Sequence, residues 1–117
     1  MKPLFLEYPP CSTCRKARTC LDKHGGGYEA RHIVEERPTE EELRTWHARS
    51  GLPLKRFFNT SGLAYKTLDL KNKLPGKSED EQFALLARNG MLVKRPLLIG
   101  DDFALPGFRE AEWSSHL

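Results

Sequence analysis

The chain opens on a short apolar run, Leu4-Phe5-Leu6, then a polar turn, then a stretch whose apolar positions Cys14, Ala17 and Leu21 recur at three and seven residues. Three apolar residues are too few for a helix. They predict a buried strand that Pro3 can start and that Pro9-Pro10 ends after about Tyr8. The stretch that follows has helical spacing, with Arg15, Lys16, Arg18, Asp22 and Lys23 off the apolar stripe and Gly25-Gly26-Gly27 as the stop. Tyr28 to Val34 partly alternates and is rich in β formers. It predicts a second strand, and the resulting strand-helix-strand unit suggests a parallel pair.

Two capping boxes mark later helices. Thr39-Glu40-Glu41-Glu42, with Pro38 before it and Leu43 and Trp46 beginning an apolar face, opens a helix that runs to Ser50 and stops at Gly51. Ser78-Glu79-Asp80-Glu81 opens another through Phe83, Leu86 and Ala87, stopped by Asn89-Gly90. Between them, Leu54 to Leu74 carries apolar residues at helical intervals broken by Asn59-Thr60-Ser61-Gly62, and reads as two or three short helices. Met91-Leu92-Val93, Arg95-Pro96, Leu97-Leu98-Ile99, the turn Gly100-Asp101-Asp102 and Phe103-Ala104-Leu105 together look like a β-hairpin, with a last helical turn or two from Glu110 to Trp113.

A length of 117 residues fits one compact domain with a core large enough to fold unaided. The net charge is +3, with basic and acidic residues interspersed and no Lys/Arg block interleaved with aromatics, so direct nucleic-acid binding is not expected. No apolar run approaches the ~18 residues of a membrane span, and the N-terminal apolar stretch is too short for a secretory signal; a cytoplasmic protein is expected. All three cysteines, Cys11, Cys14 and Cys20, fall in the first fifth of the chain, which argues against a disulfide scaffold.

Cys11-Ser12-Thr13-Cys14 falls where the first strand turns into the first helix. A cysteine at a helix start faces unpaired N–H groups and the positive end of the helix dipole, which favours its thiolate. Three readings are open: a redox pair, half a zinc site, or two core cysteines. Zinc needs two further ligands, and His24, His32, His47 and His116 are scattered, so no metal is expected. Helix residues three apart are neighbours, so Cys14 could attack a mixed disulfide formed at Cys11, with Cys20 a weaker alternative. Arg15, Lys16 and Arg18 either support the thiolate or form an ordinary solvated face. The spacing C-x-x-x-x-x-R of cysteine phosphatases is missing, since Ala17 stands six residues after Cys11. An oxyanion could still bind the helix tip with an arginine from elsewhere, and Arg95, beside a Pro96 that marks either a sheet edge or a tight turn, is the best placed.

Three segments, Tyr8-Pro9-Pro10-Cys11-Ser12-Thr13-Cys14-Arg15-Lys16-Ala17, Phe57-Phe58-Asn59-Thr60-Ser61-Gly62 and Lys94-Arg95-Pro96-Leu97-Leu98, jointly resemble the arsenate reductase-like, Spx/MgsR/YusI family, with its short YusI-like members the nearest. The resemblance implies an α/β, thioredoxin-like fold over residues 1–117: a mixed four-stranded sheet with an inserted helical segment at about 36–89, and a cis peptide at Arg95-Pro96 beside the cysteine loop. It implies catalytic roles for Cys11, Cys14 and Arg95, a Cys11–Cys14 disulfide, and substrate contacts from Ser12, Thr13, Asn59 and Pro96. Asn59 falls where the reductases carry a first oxyanion-binding arginine, and Ala104-Leu105-Pro106-Gly107 offers no third. The implied activity is thiol-disulfide exchange on a small thiol or oxyanion substrate, with no bound cofactor and with glutathione, glutaredoxin or thioredoxin as external partner. The Spx-type regulators, with which Cys11, Cys14, Gly51 and Arg95 are compatible, imply the alternative of a redox switch that binds the RNA polymerase alpha subunit.

Overall fold

The structure is a computed structural model that describes residues 2–117. Its sheet has four strands, β1 (Leu4–Glu7), β2 (Glu29–His32), β3 (Leu97–Ile99) and β4 (Ala104–Pro106), in the order β2-β1-β3-β4. β1 runs parallel to β2 and antiparallel to β3, so Leu6 lies opposite Arg31 on one side and Leu97 on the other. This mixed sheet and its helices form a thioredoxin-like α/β fold.

Successive side chains of a strand point to opposite faces, and β1 uses this to feed two cores. Phe5 packs with Ala17, Leu21, Leu98, Leu105 and Trp113, against α1 (Ser12–Lys23) and α6 (Glu110–Ser114). Leu6 packs on the opposite face with Ile33, Leu43, Phe57, Leu86 and Leu97, under α2 (Glu40–Ser50) and α5 (Glu79–Arg88). Both capping boxes form: Thr39 Oγ1 accepts from the Glu42 N–H at 3.1 Å and Ser78 Oγ from the Glu81 N–H at 3.2 Å. Between α2 and α5 lie a 3-10 turn at Leu54–Phe57, α3 (Leu63–Thr67), α4 (Leu70–Lys73) and a second 3-10 turn at Leu74–Gly76. Among the described residues no helix is long and apolar enough to cross a membrane.

Two elements differ from the pattern-based reading. β2 stops at His32 rather than Val34, because the His32 ring takes over the backbone there: its Nδ1 accepts the N–H groups of Val34 at 3.1 Å and Glu35 at 3.0 Å. Gly90–Leu92 is a 3-10 turn rather than strand, started by Asn89 Oδ1 accepting from the Met91 N–H at 3.0 Å, and only Val93 bridges to Phe58.

Charge is placed unevenly on this frame. Among the described residues Glu7 is the one buried charged residue, 4 % exposed, and it pairs with the Arg18 guanidinium one turn into α1 beyond Cys14. The same guanidinium lies over Phe5 and Tyr28. Arg18 is therefore committed to a buried carboxylate, and truncating it would strand that charge.

Gly90 fixes how the helical segment meets the sheet. A Cβ there would stand 2.9 Å from Val34 Cα and closer still to the Ile33 carbonyl oxygen, both backbone atoms that cannot swing away. Gly90→Ala is therefore expected to destabilise the fold by about 1–3 kcal/mol, read as a lowered urea midpoint at unchanged m.

Candidate functional site

Both sulfurs are positioned by the turn that joins β1 to α1. Cys11 is the N-cap of α1 with an extended backbone, φ −76° and ψ 125°, and its carbonyl accepts the Arg15 N–H at 3.1 Å. The turn is closed from both sides by Tyr8: its carbonyl accepts the Cys11 N–H at 2.9 Å, and its N–H donates to Cys14 Sγ at 3.4 Å. Cys11 is partly exposed at the helix tip and Cys14 is fully buried behind it. Both are free thiols, and no acidic residue stands in the first turn of α1 to oppose a thiolate.

The two thiols are driven in opposite directions. Burial works against a charged Cys11. It is outweighed by the Cys14 N–H and thiol, the Arg95 guanidinium and the Thr13 N–H, so the Cys11 pKa is held below its ordinary value. Cys14 is pushed up to about 12, first by burial and then by the neighbouring Cys11 sulfur, against the opposing Tyr8 N–H and Arg95.

Arg95 reaches this point over the Tyr8 ring, its guanidinium carbon 4.9 Å from the centroid, and touches Met91 Sδ at 3.9 Å; the Arg95-Pro96 peptide is cis. A cavity of about 360 Å³ opens beside Cys11, lined by Thr13, Asn59 and four cations, Arg56, Lys94, Arg95 and Arg109, with no acidic residue among its walls. Backbone bonds assemble these distant segments. The Asn59 N–H donates to Leu92 O at 2.7 Å and the Lys94 N–H to Phe57 O at 2.8 Å, tying the 56–59 segment to the 92–95 segment. The Gly107 N–H donates to Pro96 O at 2.8 Å, and Gly107, at φ +78°, bends the chain after β4 so that Arg109 returns to the cavity.

Of the residues singled out from the sequence, Cys11, Thr13, Asn59 and Arg95 meet at this cavity and Cys14 lies beneath it. Ser12 and Pro96 do not line it: Ser12 is exposed on α1, and Pro96 is buried, acting through its carbonyl. The segment Ala104 to Gly107 has no arginine, and the cations that join Arg95 at the cavity are Arg56, Lys94 and Arg109. Tyr8, which begins the first resemblance segment but carries no sequence sign of a place in the site, touches Cys11, Cys14 and Arg95. Arg18 is spent on Glu7, and Arg15 and Lys16 are exposed away from the cavity walls. Nine residues of helix, about 13 Å of rise, separate Cys20 from Cys11, too far for a disulfide. Cys20 is buried instead beside His24. Among the described residues no three His, Cys, Asp or Glu side chains form a metal-sized group.

The ArsC family model matches residues 6–116. The chain is 47% identical over 116 residues to the protein YusI of Bacillus subtilis, spanning 99% of this chain and 98% of that one. It is 28% identical over 108 residues to the regulatory protein MgsR of the same organism, spanning 92% and 84%. Among solved structures it is similar to an ArsC family related protein from Bacteroides fragilis (TM-score 0.95, 55% identity, 98% of this chain and 97% of that one). It is also similar to a possible arsenate reductase from Streptococcus mutans (TM-score 0.89, 45% identity, 98% of each).

The Cys11 environment makes a direct pH prediction. The rate of Cys11 alkylation by a neutral reagent should rise through a midpoint below the ~8.5 of a free thiol. Arg95→Gln should raise that midpoint. Tyr8→Leu, which keeps both backbone bonds but removes the ring under Arg95, should raise it part of the way.

Proposed function

This chain belongs to the ArsC family, and on that premise we propose that it is a thiol-disulfide oxidoreductase in which Cys11 attacks, Cys14 resolves, and Arg95 with the tip of α1 receives the anionic part of the substrate. The observation that carries the reading is the opposed drive on two sulfurs three residues apart. One is held toward thiolate by Arg95 and backbone N–H groups, and the other is pushed up to about 12. A pair of titratable groups whose surroundings push them apart divides the labour of a reaction between them.

In the first step the Cys11 thiolate displaces one sulfur of a substrate disulfide; a mixed disulfide forms and the other sulfur leaves as a thiolate that takes a proton from solvent. Cys14 then loses its proton and attacks Cys11 Sγ, forming the Cys11–Cys14 disulfide and releasing the remaining substrate thiol. Two electrons pass from the dithiol to the substrate, and an external thiol such as glutathione, or a glutaredoxin or thioredoxin, restores the dithiol. The four cations around the sulfur support an anionic substrate, an acidic disulfide or an oxyanion of the arsenate type.

The likeness to MgsR, named a regulatory protein, favours a second reading in which the same disulfide switches contact with a partner such as the RNA polymerase alpha subunit without turnover. Repeated turnover under excess reductant separates the two.

In a glutathione-coupled assay with a mixed disulfide, Cys11→Ser should abolish turnover. Without glutathione, Cys14→Ser should stop after one step with the substrate thiol attached to Cys11, visible as an added mass. Arg56→Gln and Arg109→Gln should each slow an anionic disulfide by roughly 1.5- to 5-fold, as expected for exposed charges, and leave a neutral disulfide unchanged. A flat trace with every disulfide and with arsenate would remove the oxidoreductase reading.

A further inference from the structure

The segment between the two long capped helices concentrates the charge of the chain. Residues 54–77 hold six cations, Lys55, Arg56, Lys66, Lys71, Lys73 and Lys77, against one acid, Asp69, a net +5 in a chain whose total is +3. Elsewhere three arginines are paired: Arg18 with Glu7, Arg31 with Glu42, and Arg44 with Glu40 and Asp80. None of the ion pairs among the described residues uses any of those six. The single acid is itself engaged, accepting from Asn72 Nδ2 at 2.9 Å.

Two adjoining hollows of about 160 and 410 Å³ lie on this segment and share Lys55, Tyr65 and Lys71. α3, which contributes Tyr65 and Lys66 to them, also turns Leu63 out to solvent at 81 % exposure, and Leu68 follows at 42 %. Leu63 is the most exposed large apolar residue among the described residues. The hollows are joined to the reactive thiol by alternation along the chain. Lys55 lines the groove and Arg56 the Cys11 cavity, while Thr60 lines the groove and Asn59 and Ser61 the cavity. One loop therefore separates the groove from the sulfur.

We propose that this face docks an acidic polypeptide segment with an aliphatic anchor, and that this segment presents the disulfide which Cys11 attacks. The proposal rests on the oxidoreductase reading and specifies its substrate as a protein disulfide flanked by acidic residues. Unpaired cations and an exposed leucine complement an acidic chain with an apolar side chain, and such complementarity acts mainly on the association rate. A nucleic acid fits this surface less well. Single strands bind by stacking bases on aromatic side chains, and the aromatics here, Phe57, Phe58 and Tyr65, are all buried.

The test uses the full chain and peptides that carry one cysteine as a mixed disulfide with 2-mercaptoethanol. One peptide is acidic with a central leucine, one is its lysine counterpart, and one is acidic without the leucine. At low salt the acidic leucine peptide should react about tenfold or more faster than the lysine peptide, within the range of electrostatic steering. The advantage should fall in Lys66→Glu/Lys71→Glu to what the cavity cations alone give and shrink in Leu63→Ser, while hydroxyethyl disulfide reacts alike with all variants. Equal rates for the acidic and basic peptides would overturn the docking surface with the oxidoreductase reading intact. Failure of hydroxyethyl disulfide would instead strike that reading. In that event, fluorescence anisotropy with the acidic peptide carrying serine for cysteine still decides the surface: charge- and Leu63-dependent binding supports it, and no binding overturns it. A single-stranded DNA oligonucleotide that binds more tightly than the acidic peptide would also overturn it.

Discussion

The chemistry of this site depends on the grip of one residue, Tyr8, on the turn between β1 and α1. Its carbonyl fixes the Cys11 backbone, its N–H reaches Cys14 Sγ, and its ring lies under the Arg95 guanidinium. These three contacts set which sulfur stands at the helix tip, which is buried, and which cation faces them. Tyr8 can do this because it follows directly on β1, whose Phe5 and Leu6 are fully buried on opposite faces of the sheet. A strand held from both sides lets the residue after it act as a fixed post.

A second constraint is electrostatic. Four cations around one cavity repel one another, and the protein tolerates this by separating them onto three chain segments held by backbone bonds, at Leu92, Phe57 and Pro96. Arg95 alone is held close, by the aromatic ring beneath it. Arg56 and Arg109 are exposed at the rim, where solvent screens them and each contributes little to affinity on its own. Their value lies in raising the local concentration of anions near the sulfur, an effect that salt should weaken. Arg18, by contrast, lies on the very helix that carries the thiols and contributes nothing to the cavity, because the buried Glu7 claims it.

Much of this was legible in the sequence, and what was not follows a physical pattern. The capping boxes at Thr39 and Ser78, the glycine stops and the C-x-x-C at a strand-to-helix turn are local signals, and each stands where its residues put it. The mixed sheet and the thioredoxin-like fold followed from the strand-helix-strand start, the hairpin at the end and three ordered segments of resemblance. Arg56 and Arg109 were invisible because nothing local distinguishes them from other surface cations, and Lys94, though it opens the third resemblance segment, carries no local sign that it faces the cavity. They reach the cavity only through long-range backbone bonds and through the left-handed turn at Gly107. The early end of β2 was hidden for a related reason: a histidine accepting two N–H groups of its own turn leaves no mark in an alternation pattern.

The two thiols also explain how the order of events can be built into the site. Cys14 is pushed up first by burial and then by the charge and hydrogen bond of Cys11, so it is an inert thiol as long as Cys11 is free. Once Cys11 has bonded to a substrate sulfur its charge is gone, and that part of the penalty on Cys14 goes with it. Burial, the larger cause, still holds the Cys14 thiol up, opposed by the Tyr8 N–H already aimed at Cys14 Sγ and by the attraction of Arg95. On the proposed mechanism, attack by Cys11 therefore lifts part of the restraint on Cys14, the resolving thiol. Cys20, nine residues along the helix from Cys11 and buried beside His24, is too far from it to compete for the disulfide.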